Sequence, residues 1–247
     1  MSKTVLIIQA RNNSTRLPYK VTKEINNKTT LEYLIERVKK CKNLDDIIIC
    51  TTIHDIDNSI CNICEKLKIK YYRGDENNVL SRYYESALIT SASIIVRVTG
   101  DCILIDPKII DNIIYEFKIN PCDFMDTVYY GEGKGSVAGF PDGSNPEIFT
   151  FQSLEKANLN AITKDEKEHV TGYIIKNMNC KKYSIPINID NYSNINFRTL
   201  HLSLDTQDDL ILIENILKNL YFNNPDFTIY DVLDFLNYKI KIKKIIK

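Results

Sequence analysis

Thr4-Val-Leu-Ile-Ile-Gln-Ala-Arg-Asn-Asn-Ser-Thr-Arg-Leu-Pro-Tyr-Lys20 is the segment that decides the fold of this chain. Its first part, up to Gln9, is a mostly apolar run of strand length, which is typical of a parallel strand covered on both faces. The part that follows carries three cations, several small polar side chains and no acid. In open α/β sheets, ligands bind at the carboxyl ends of the strands, so this loop is a candidate binding element.

The rest of the first half alternates apolar runs with helical patterns. Strands are predicted over residues 46–51, 69–72 and 93–98, and helices over residues 30–41, 56–67, 79–88 and 109–117. The pair Asp106-Pro107 marks a helix start, since aspartate caps helices and proline suits their first turn. Such alternation predicts βαβ units and therefore a three-layer α/β/α, Rossmann-like fold with a mostly parallel mixed central sheet.

The second half is less regular. Five of the eight glycines lie between Gly131 and Gly143, which predicts a flexible loop. Further strands are predicted at 147–149, 181–187 and 198–204, and helices at 153–161, 166–176, 208–220 and 228–237. Because no Pro- or Ser-rich linker divides the chain, residues 1–247 are expected to form a single domain.

Composition excludes several classes of protein. The chain has 247 residues, with 32 basic and 32 acidic side chains, and this balance argues against a general nucleic-acid or membrane-surface binder. No apolar run is long enough for a membrane span, and the apolar segment before Gln9 is too short for a signal-peptide core. Seven scattered cysteines, an odd number, indicate a reduced, cytoplasmic compartment. The pair Cys61 and Cys64 is interpreted as two buried helix cysteines.

The loop after the first strand has the chemistry of a phosphate site. Arg11, Arg16 and Lys20 suit a polyanion, because arginine makes bidentate contacts and lysine provides a compact charge. The alternative is a solvated basic loop. The loop lacks glycines, so it matches neither the dinucleotide fingerprint nor the P-loop, and the segment Gly131–Ser136 lacks the P-loop spacing.

Two aspartates follow predicted strands. Asp101 comes after the strand that ends at Val98, at the mouth of the sheet, where a Mg²⁺ ion bridging phosphates could lie. Asp205 follows a later strand and precedes a helical pattern, so a helix cap is its alternative role.

Several segments, in their order along the chain, resemble one known family. With residues 9–20, they are Tyr72–Tyr84, Arg97–Cys102, Pro141–Gly143, Glu168–Thr171 and Leu204–Leu210. Together they are similar to the sugar-activating cytidylyltransferases, such as the 3-deoxy-manno-octulosonate and acylneuraminate enzymes, and most of all to the spore-coat-polysaccharide branch. The resemblance covers residues 4 to about 215.

This resemblance implies a nucleotidyltransferase fold and transfer of CMP from CTP to a sugar acid or a phosphorylated sugar or polyol, with release of pyrophosphate, in surface polysaccharide biosynthesis. It implies catalytic roles for Arg11, Arg16, Lys20 and Asp101, and a Mg²⁺ site at Asp101 and Asp205. The implied nucleotide-binding residues are Ala10, Arg11, Asn12, Ser14, Lys20, Gly74, Asp75, Arg82 and Thr99. The implied acceptor-binding residues are Asp142, Asn145, Glu147, Glu168 and His169. For Glu168-His169 the alternative is a surface polar pair, and for Asp142-Gly143 it is a plain turn instead of a substrate-covering lid.

The resemblance also implies a homodimer, with a smaller region at about 122–200 for substrate binding and dimerisation. The balanced charge predicts no nucleic-acid or membrane partner. The chain departs from the family pattern at Tyr19, where glycine is usual, and at Asn145, where aspartate is frequent. Two alternatives stay open: a non-catalytic nucleotide-binding protein, and a glycosyltransferase of similar architecture. The second would use an Asp-x-Asp metal pair, but Asp55-Ile-Asp57 lies at a predicted helix start. The acceptor and the C-terminal tail are left unassigned.

Overall fold

The structure is a computed structural model that describes residues 2–127, 140–182 and 200–245. The predicted glycine-rich loop lies outside the described residues up to position 139, and so does most of the predicted strand at 181–187.

The described residues contain the strands β1 (Thr4–Gln9), β2 (Glu24–Ile25), β3 (Lys28–Thr29), β4 (Asp46–Thr52), β5 (Lys70–Gly74), β6 (Ile94–Thr99), β7 (Phe124–Asp126), β8 (Glu147–Thr150) and β9 (Cys180–Lys182). Seven of them form the central sheet, in the order β5-β4-β1-β6-β8-β7-β9. Strands β5, β4, β1 and β6 are parallel, and β8 is antiparallel to β6. The predicted mostly parallel mixed sheet is confirmed. Strands β2 and β3 form a separate hairpin.

Helices cover both faces of the sheet. The helices within the described residues are α1 (Thr30–Val38), α2 (Asn58–Leu67), α3 (Val79–Thr90), α4 (Pro107–Ile119), α5 (Phe151–Asn160), α6 (Lys164–Glu168), α7 (Gly172–Asn177), α8 (Gln207–Leu220) and α9 (Ile229–Ile245). Helices α8 and α9 pack in a second core beside the sheet layers. Strand β1 shows how the layers arise, because side chains alternate along a strand. Leu6 and Ile8 pack with α1, α2 and α4, whereas Val5 and Ile7 pack with α3, α5 and α7. This arrangement confirms the three-layer α/β/α fold.

The predictions were wrong in some local details. The helix predicted over 166–176 is two helices, because Val170, which is fully buried, adopts a left-handed backbone with φ 55° between α6 and α7. Strand β7 and the short β2–β3 hairpin were not predicted. Of the predicted strand 198–204, the described residues from 200 onward make a single parallel bridge, between His201 and Asp142, instead of a ladder. The tail continues helix α9 as far as Ile245.

Other local predictions are confirmed. Asp106 caps α4 by accepting a hydrogen bond from Lys108 N, and Pro107 opens the helix. Cys61 and Cys64 are buried on α2, and burial raises the pKa of both thiols, that of Cys64 to about 12. Among the described residues, no helix combines the length and apolar character that crossing a bilayer requires.

Candidate active site

The loop between β1 and the β2–β3 hairpin is organised around one buried side chain, Asn12. Its amide nitrogen donates to Ile56 O at 2.7 Å and to Ser59 Oγ at 2.9 Å, and its Oδ1 accepts from Thr22 Oγ1 at 2.8 Å. Its backbone N–H donates to Asp57 Oδ1 at 2.7 Å. These bonds satisfy every polar group of the side chain, so Asn12 shapes the loop, and its side chain is not part of the cleft lining.

A polar cleft of about 240 Å³ lies at the carboxyl ends of β1 and β6. The residues that line it and that the sequence singled out are Ala10, Arg11, Ser14, Arg16, Lys20, Arg82, Thr99, Asp101, Glu168 and Asp205. The structure therefore brings the predicted cations and both predicted metal-binding carboxylates together. Gly74 and Asp75 do not line the cleft; Asp75 accepts a hydrogen bond from Asn77 N at 2.9 Å in the loop after β5.

Lys20 is the centre of the cleft's ionic contacts. Its Nζ donates to Asp101 Oδ2 at 2.6 Å and to Asp205 Oδ1 at 2.9 Å. Arg16 Nη2 lies 2.8 Å from the same oxygen of Asp205. Burial disfavours the ammonium of Lys20, but the charges and hydrogen bonds of the two carboxylates outweigh burial and raise the pKa of Lys20. Burial likewise opposes ionisation of Asp205, yet Lys20 and Arg16 hold the pKa of that carboxyl below its usual value.

A backbone hydrogen bond explains how Asp101 and Asp205, which are distant in the sequence, come to lie together. Leu204 N donates to Asp101 O at 3.0 Å, which places the two aspartates side by side. Helix α8 is capped by Thr206, which forms a capping box with Asp209. Because Thr206 fills the capping role, the carboxylate of Asp205 is free to face the cleft.

Arg82 is a buried cation on the cleft wall. Only 2% of its surface is exposed, and its Nε and Nη1 have no hydrogen-bond partner in the structure. Burying a guanidinium without hydrogen-bond partners costs free energy, so we expect a bound ligand to accept hydrogen bonds from Arg82. Gly74 makes room for this side chain, since a Cβ at position 74 would lie 2.9 Å from Arg82 Cγ.

Comparison with known proteins identifies the family. The family model described as Cytidylyltransferase matches residues 5–229. This chain belongs to the cytidylyltransferase family. It is therefore a CTP-dependent nucleotidyltransferase that transfers CMP and releases pyrophosphate.

Three relatives match this cytidylyltransferase over almost its whole length. An uncharacterized protein of Methanocaldococcus jannaschii is 37% identical, over 98% of this chain and 94% of that protein. The spore coat polysaccharide biosynthesis protein SpsF of Bacillus subtilis is 26% identical, over 96% of this chain and 95% of its own. The solved structure of a cytidylyltransferase from Leptospira borgpetersenii has a TM-score of 0.85 and 28% identity, covering 98% of this chain and 97% of that one.

The five residues predicted to bind the acceptor substrate lie in different parts of the structure. Glu168 lines the cleft, whereas His169 is exposed and lies 3.5 Å from Asp165. Glu147 Oε2 is paired with Arg97 Nη1 at 2.5 Å. Asn145 donates to Pro141 O at 3.2 Å and accepts from Thr127 Oγ1 at 3.2 Å. Asp142 is paired with His201. Their roles in acceptor binding stay predictions.

Sequence reasoning missed two side chains that hold the site together. Glu76 lies 3.2 Å from Arg11 Nη1 and 3.2 Å from His54 Nε2, so it fixes one cation of the loop. His201 lies between Asp142 and Asp205. A signal for His201 exists in the sequence, because His201, Ser203 and Asp205 alternate with leucines in a segment that was predicted to be extended.

The structure also explains why the cytidylyltransferase tolerates Tyr19 where glycine is usual. Tyr19 adopts a left-handed backbone with φ 58°, the region that glycine enters without steric cost. Its backbone N–H donates to Asn12 O at 2.9 Å, which helps to hold the residue in this conformation. The loop thus keeps the backbone conformation that glycine would favour.

We expect Tyr19→Gly to leave the free energy of unfolding within about 1 kcal/mol of the parent, because relief of strain offsets the greater chain entropy of glycine. Tyr19→Val should lower it by about 1–2 kcal/mol, since a β-branched side chain fits the left-handed region poorly. Urea denaturation measures both. Tyr115→Val, at an exposed position of α4, is the control, with an expected loss of at most about 0.5 kcal/mol. Equal stability of Tyr19→Val and the parent would contradict the strained conformation.

Proposed function

We propose that this cytidylyltransferase transfers CMP from CTP to a carbohydrate-type acceptor, a sugar acid or a phosphorylated sugar or polyol, in surface polysaccharide biosynthesis. The observation that carries the site assignment is the convergence of Arg16 and Lys20 on Asp101 and Asp205 within the cleft. Similarity to the Bacillus subtilis spore coat polysaccharide protein supports the proposed pathway class.

The carboxylates fit a magnesium ion. Proteins of this family commonly use a divalent metal, and Mg²⁺ is usually bound by one or two carboxylates together with substrate phosphates. One ammonium nitrogen contacts both Asp101 and Asp205, so both carboxylates reach a single cation position. Within the described residues no group of three or more His, Cys, Asp or Glu side chains is arranged to hold a metal ion. We therefore propose that Asp101 and Asp205 hold Mg²⁺, which would supply charge neutralisation at the phosphates.

The cations of the loop have a defined task in the reaction. An acceptor oxygen attacks the α-phosphorus of CTP, the bond to the β-phosphate oxygen breaks, and pyrophosphate leaves. Such transfers depend mainly on positioning and charge neutralisation. Arg11, Arg16 and Lys20 would hold the triphosphate and neutralise the charge that develops on pyrophosphate. Lys20 and Arg16 therefore exchange their carboxylate partners for phosphate oxygens when CTP binds.

Glu168 is the side chain best placed to meet the acceptor. It lines the cleft, and no other described residue pairs with its carboxylate. A free carboxylate opposite a cationic loop can accept a hydrogen bond from an acceptor hydroxyl, and it can take up a proton from it. We propose this role for Glu168.

The test is pyrophosphate release from CTP in the presence of Mg²⁺ and a panel of sugar acids and phosphorylated sugars or polyols. We expect release with CTP and one acceptor class, and a loss of about 10²-fold or more in Asp101→Asn, because the metal loses the negative charge of one of its two carboxylate ligands. The readout is coupled pyrophosphate detection, with the product identified by mass spectrometry.

Asp226→Asn is the matched control, since Asp226 is an exposed aspartate paired with Lys40 and lies outside the cleft. It should retain the parent rate. A nucleotide sugar consumed with no pyrophosphate formed would overturn the proposal in favour of a glycosyltransferase. The buried position of Asp57 argues against that alternative, because its carboxylate accepts hydrogen bonds from Asn12 N and Thr52 Oγ1.

We further propose that the protein is a cytoplasmic homodimer with no nucleic-acid or membrane partner. Family membership and the balanced charge support this assignment.

A further inference from the structure

The segment from Leu200 to Asp205 presents two different faces. Leu202 and Leu204 are fully buried in the core that includes α8 and α9. His201, Ser203 and Asp205 alternate with them and contact one another on the opposite face. The segment is therefore anchored by its leucines, and its polar side chains form one connected group.

The two oxygens of the Asp205 carboxylate have different partners. Oδ1 faces the cleft cations, at 2.8 Å from Arg16 Nη2 and 2.9 Å from Lys20 Nζ. Oδ2 lies 3.1 Å from His201 Nε2 and accepts from Ser203 Oγ at 3.3 Å. One oxygen is thus available to the cleft, and the other is held by the segment that precedes it.

The second ring nitrogen of His201 connects this group to another loop. Its Nδ1 lies 2.7 Å from Asp142 Oδ2. The backbones are joined as well, because Leu202 N donates to Asp142 O at 2.8 Å. The imidazole therefore spans two carboxylates, one from the Asp142 loop and one from the proposed metal site.

We propose that His201 is a positioning residue for CMP transfer: its imidazole fixes the orientation of Asp205 so that Oδ1 stays turned to the cleft, and the contact with Asp142 anchors the imidazole in turn. This inference rests on the proposed role of Asp205 as a metal ligand. Groups that hydrogen-bond to a metal ligand orient it, and their loss typically weakens metal binding by about 10- to 100-fold.

Two substitutions of His201 distinguish the contribution of Nε2 from that of Nδ1. The amide nitrogen of glutamine in His201→Gln reaches the position of Nε2 and keeps the contact with Asp205. The amide nitrogen of asparagine in His201→Asn reaches only the position of Nδ1 and keeps the contact with Asp142. The two variants are matched controls for each other, since both place a neutral amide at the same site.

The probe is Mn²⁺, titrated by electron paramagnetic resonance in the presence of a CTP analogue with a non-hydrolysable α,β bond. We expect His201→Asn to raise the dissociation constant of Mn²⁺ about tenfold or more, and His201→Gln to stay within about threefold of the parent. In turnover assays, His201→Asn should likewise need a higher metal concentration for half-maximal rate than His201→Gln and the parent. Wild-type affinity in His201→Asn, or equal losses in both variants, overturns the proposal.

A second variant covers the case in which His201→Asn does not fold. Asp142 is largely exposed, so Asp142→Asn leaves the core intact, and we expect it to weaken Mn²⁺ binding about threefold through the loosened imidazole. Unchanged affinity in Asp142→Asn would contradict the anchoring role. The Mn²⁺ measurement requires no acceptor, so a wrongly assigned acceptor would count against the proposed function alone.

Discussion

Lys20→Ala is expected to lower the rate of CMP transfer by roughly 10²- to 10³-fold, the loss typical of removing one charge-stabilising donor from an active site. The proposed role of Lys20 is to neutralise charge on the departing pyrophosphate, and it contacts both cleft aspartates. Steady-state pyrophosphate release at saturating CTP measures the effect. Lys218→Ala is the control, because Lys218 forms a surface ion pair with Glu214 on α8. A rate within threefold of the parent would remove Lys20 from the reaction.

The same variant should bind a divalent cation more tightly when no nucleotide is present. In the parent, the ammonium of Lys20 lies where both carboxylates converge and so competes with a metal ion. Without it, Asp101 loses its cation and Asp205 keeps only Arg16 as a cationic partner, so the two neighbouring carboxylates repel each other, and a divalent cation relieves this repulsion. We expect the Mn²⁺ affinity of the nucleotide-free variant to rise about tenfold. Unchanged or weaker affinity would show that the two carboxylates do not share a cation position.

Gly143→Ala should lower the free energy of unfolding by roughly 2–4 kcal/mol, because strain and overpacking act together. Gly143 has φ 87°, a left-handed conformation, and a Cβ there would lie 2.2 Å from Ser203 N and 2.4 Å from Leu202 C. Both neighbours are backbone atoms, which cannot rotate away. The loop must shift, and the contact between Asp142 and His201 should be lost with it. Urea denaturation gives the stability, and pyrophosphate release gives the effect on the site.

Gly172→Ala is the matched control for this prediction. Gly172 begins α7, its φ is not in the left-handed region, and its nearest neighbour to a built Cβ is Glu166 Cα at 3.7 Å. Alanine should be tolerated there and should stabilise the protein by up to about 1 kcal/mol, since it favours helix. If both alanines behave alike, the close approach of the Gly143 loop to the 202–203 backbone is not as described.

The first half of the fold could be predicted because its strands are continuous apolar runs and its helices have clear periodicity. Strand β1 occupies the predicted residues Thr4–Gln9, and the other predicted elements of the first half differ only at their ends, whereas the short β2–β3 hairpin was not predicted. The second half was harder for physical reasons. Strand β7 has three residues, too few to show a pattern, and the break at Val170 depends on tertiary contacts of a β-branched residue that disfavours this backbone conformation.

Some residues of the candidate site could also be predicted from the sequence, whereas others could not. The cationic loop and Asp101 could be located because they follow strands β1 and β6, and the sheet brings such positions together. Asp205 could be located because it follows a segment predicted to be extended, although the described residues of that segment make a single bridge instead of a strand. The roles of Asn12 and His201 could not be read as easily, since each depends on partners from distant segments. Asn12 depends on the turn at Asp55–Asp57, and His201 depends on Asp142. A local pattern indicates which face a side chain occupies, but not what lies opposite.

The buried amide of Asn12 has a consequence for binding kinetics. Its hydrogen bonds hold the loop from Arg11 to Lys20 in one conformation in the folded protein, so the cations of the loop lie near one another before any triphosphate binds. The conformational entropy of that loop is therefore lost once, on folding, and not again at each binding event. Association of CTP with the cleft should then require no ordering of the loop backbone, and its rate constant should fall as ionic strength rises, because salt screens the attraction between the cations and the triphosphate.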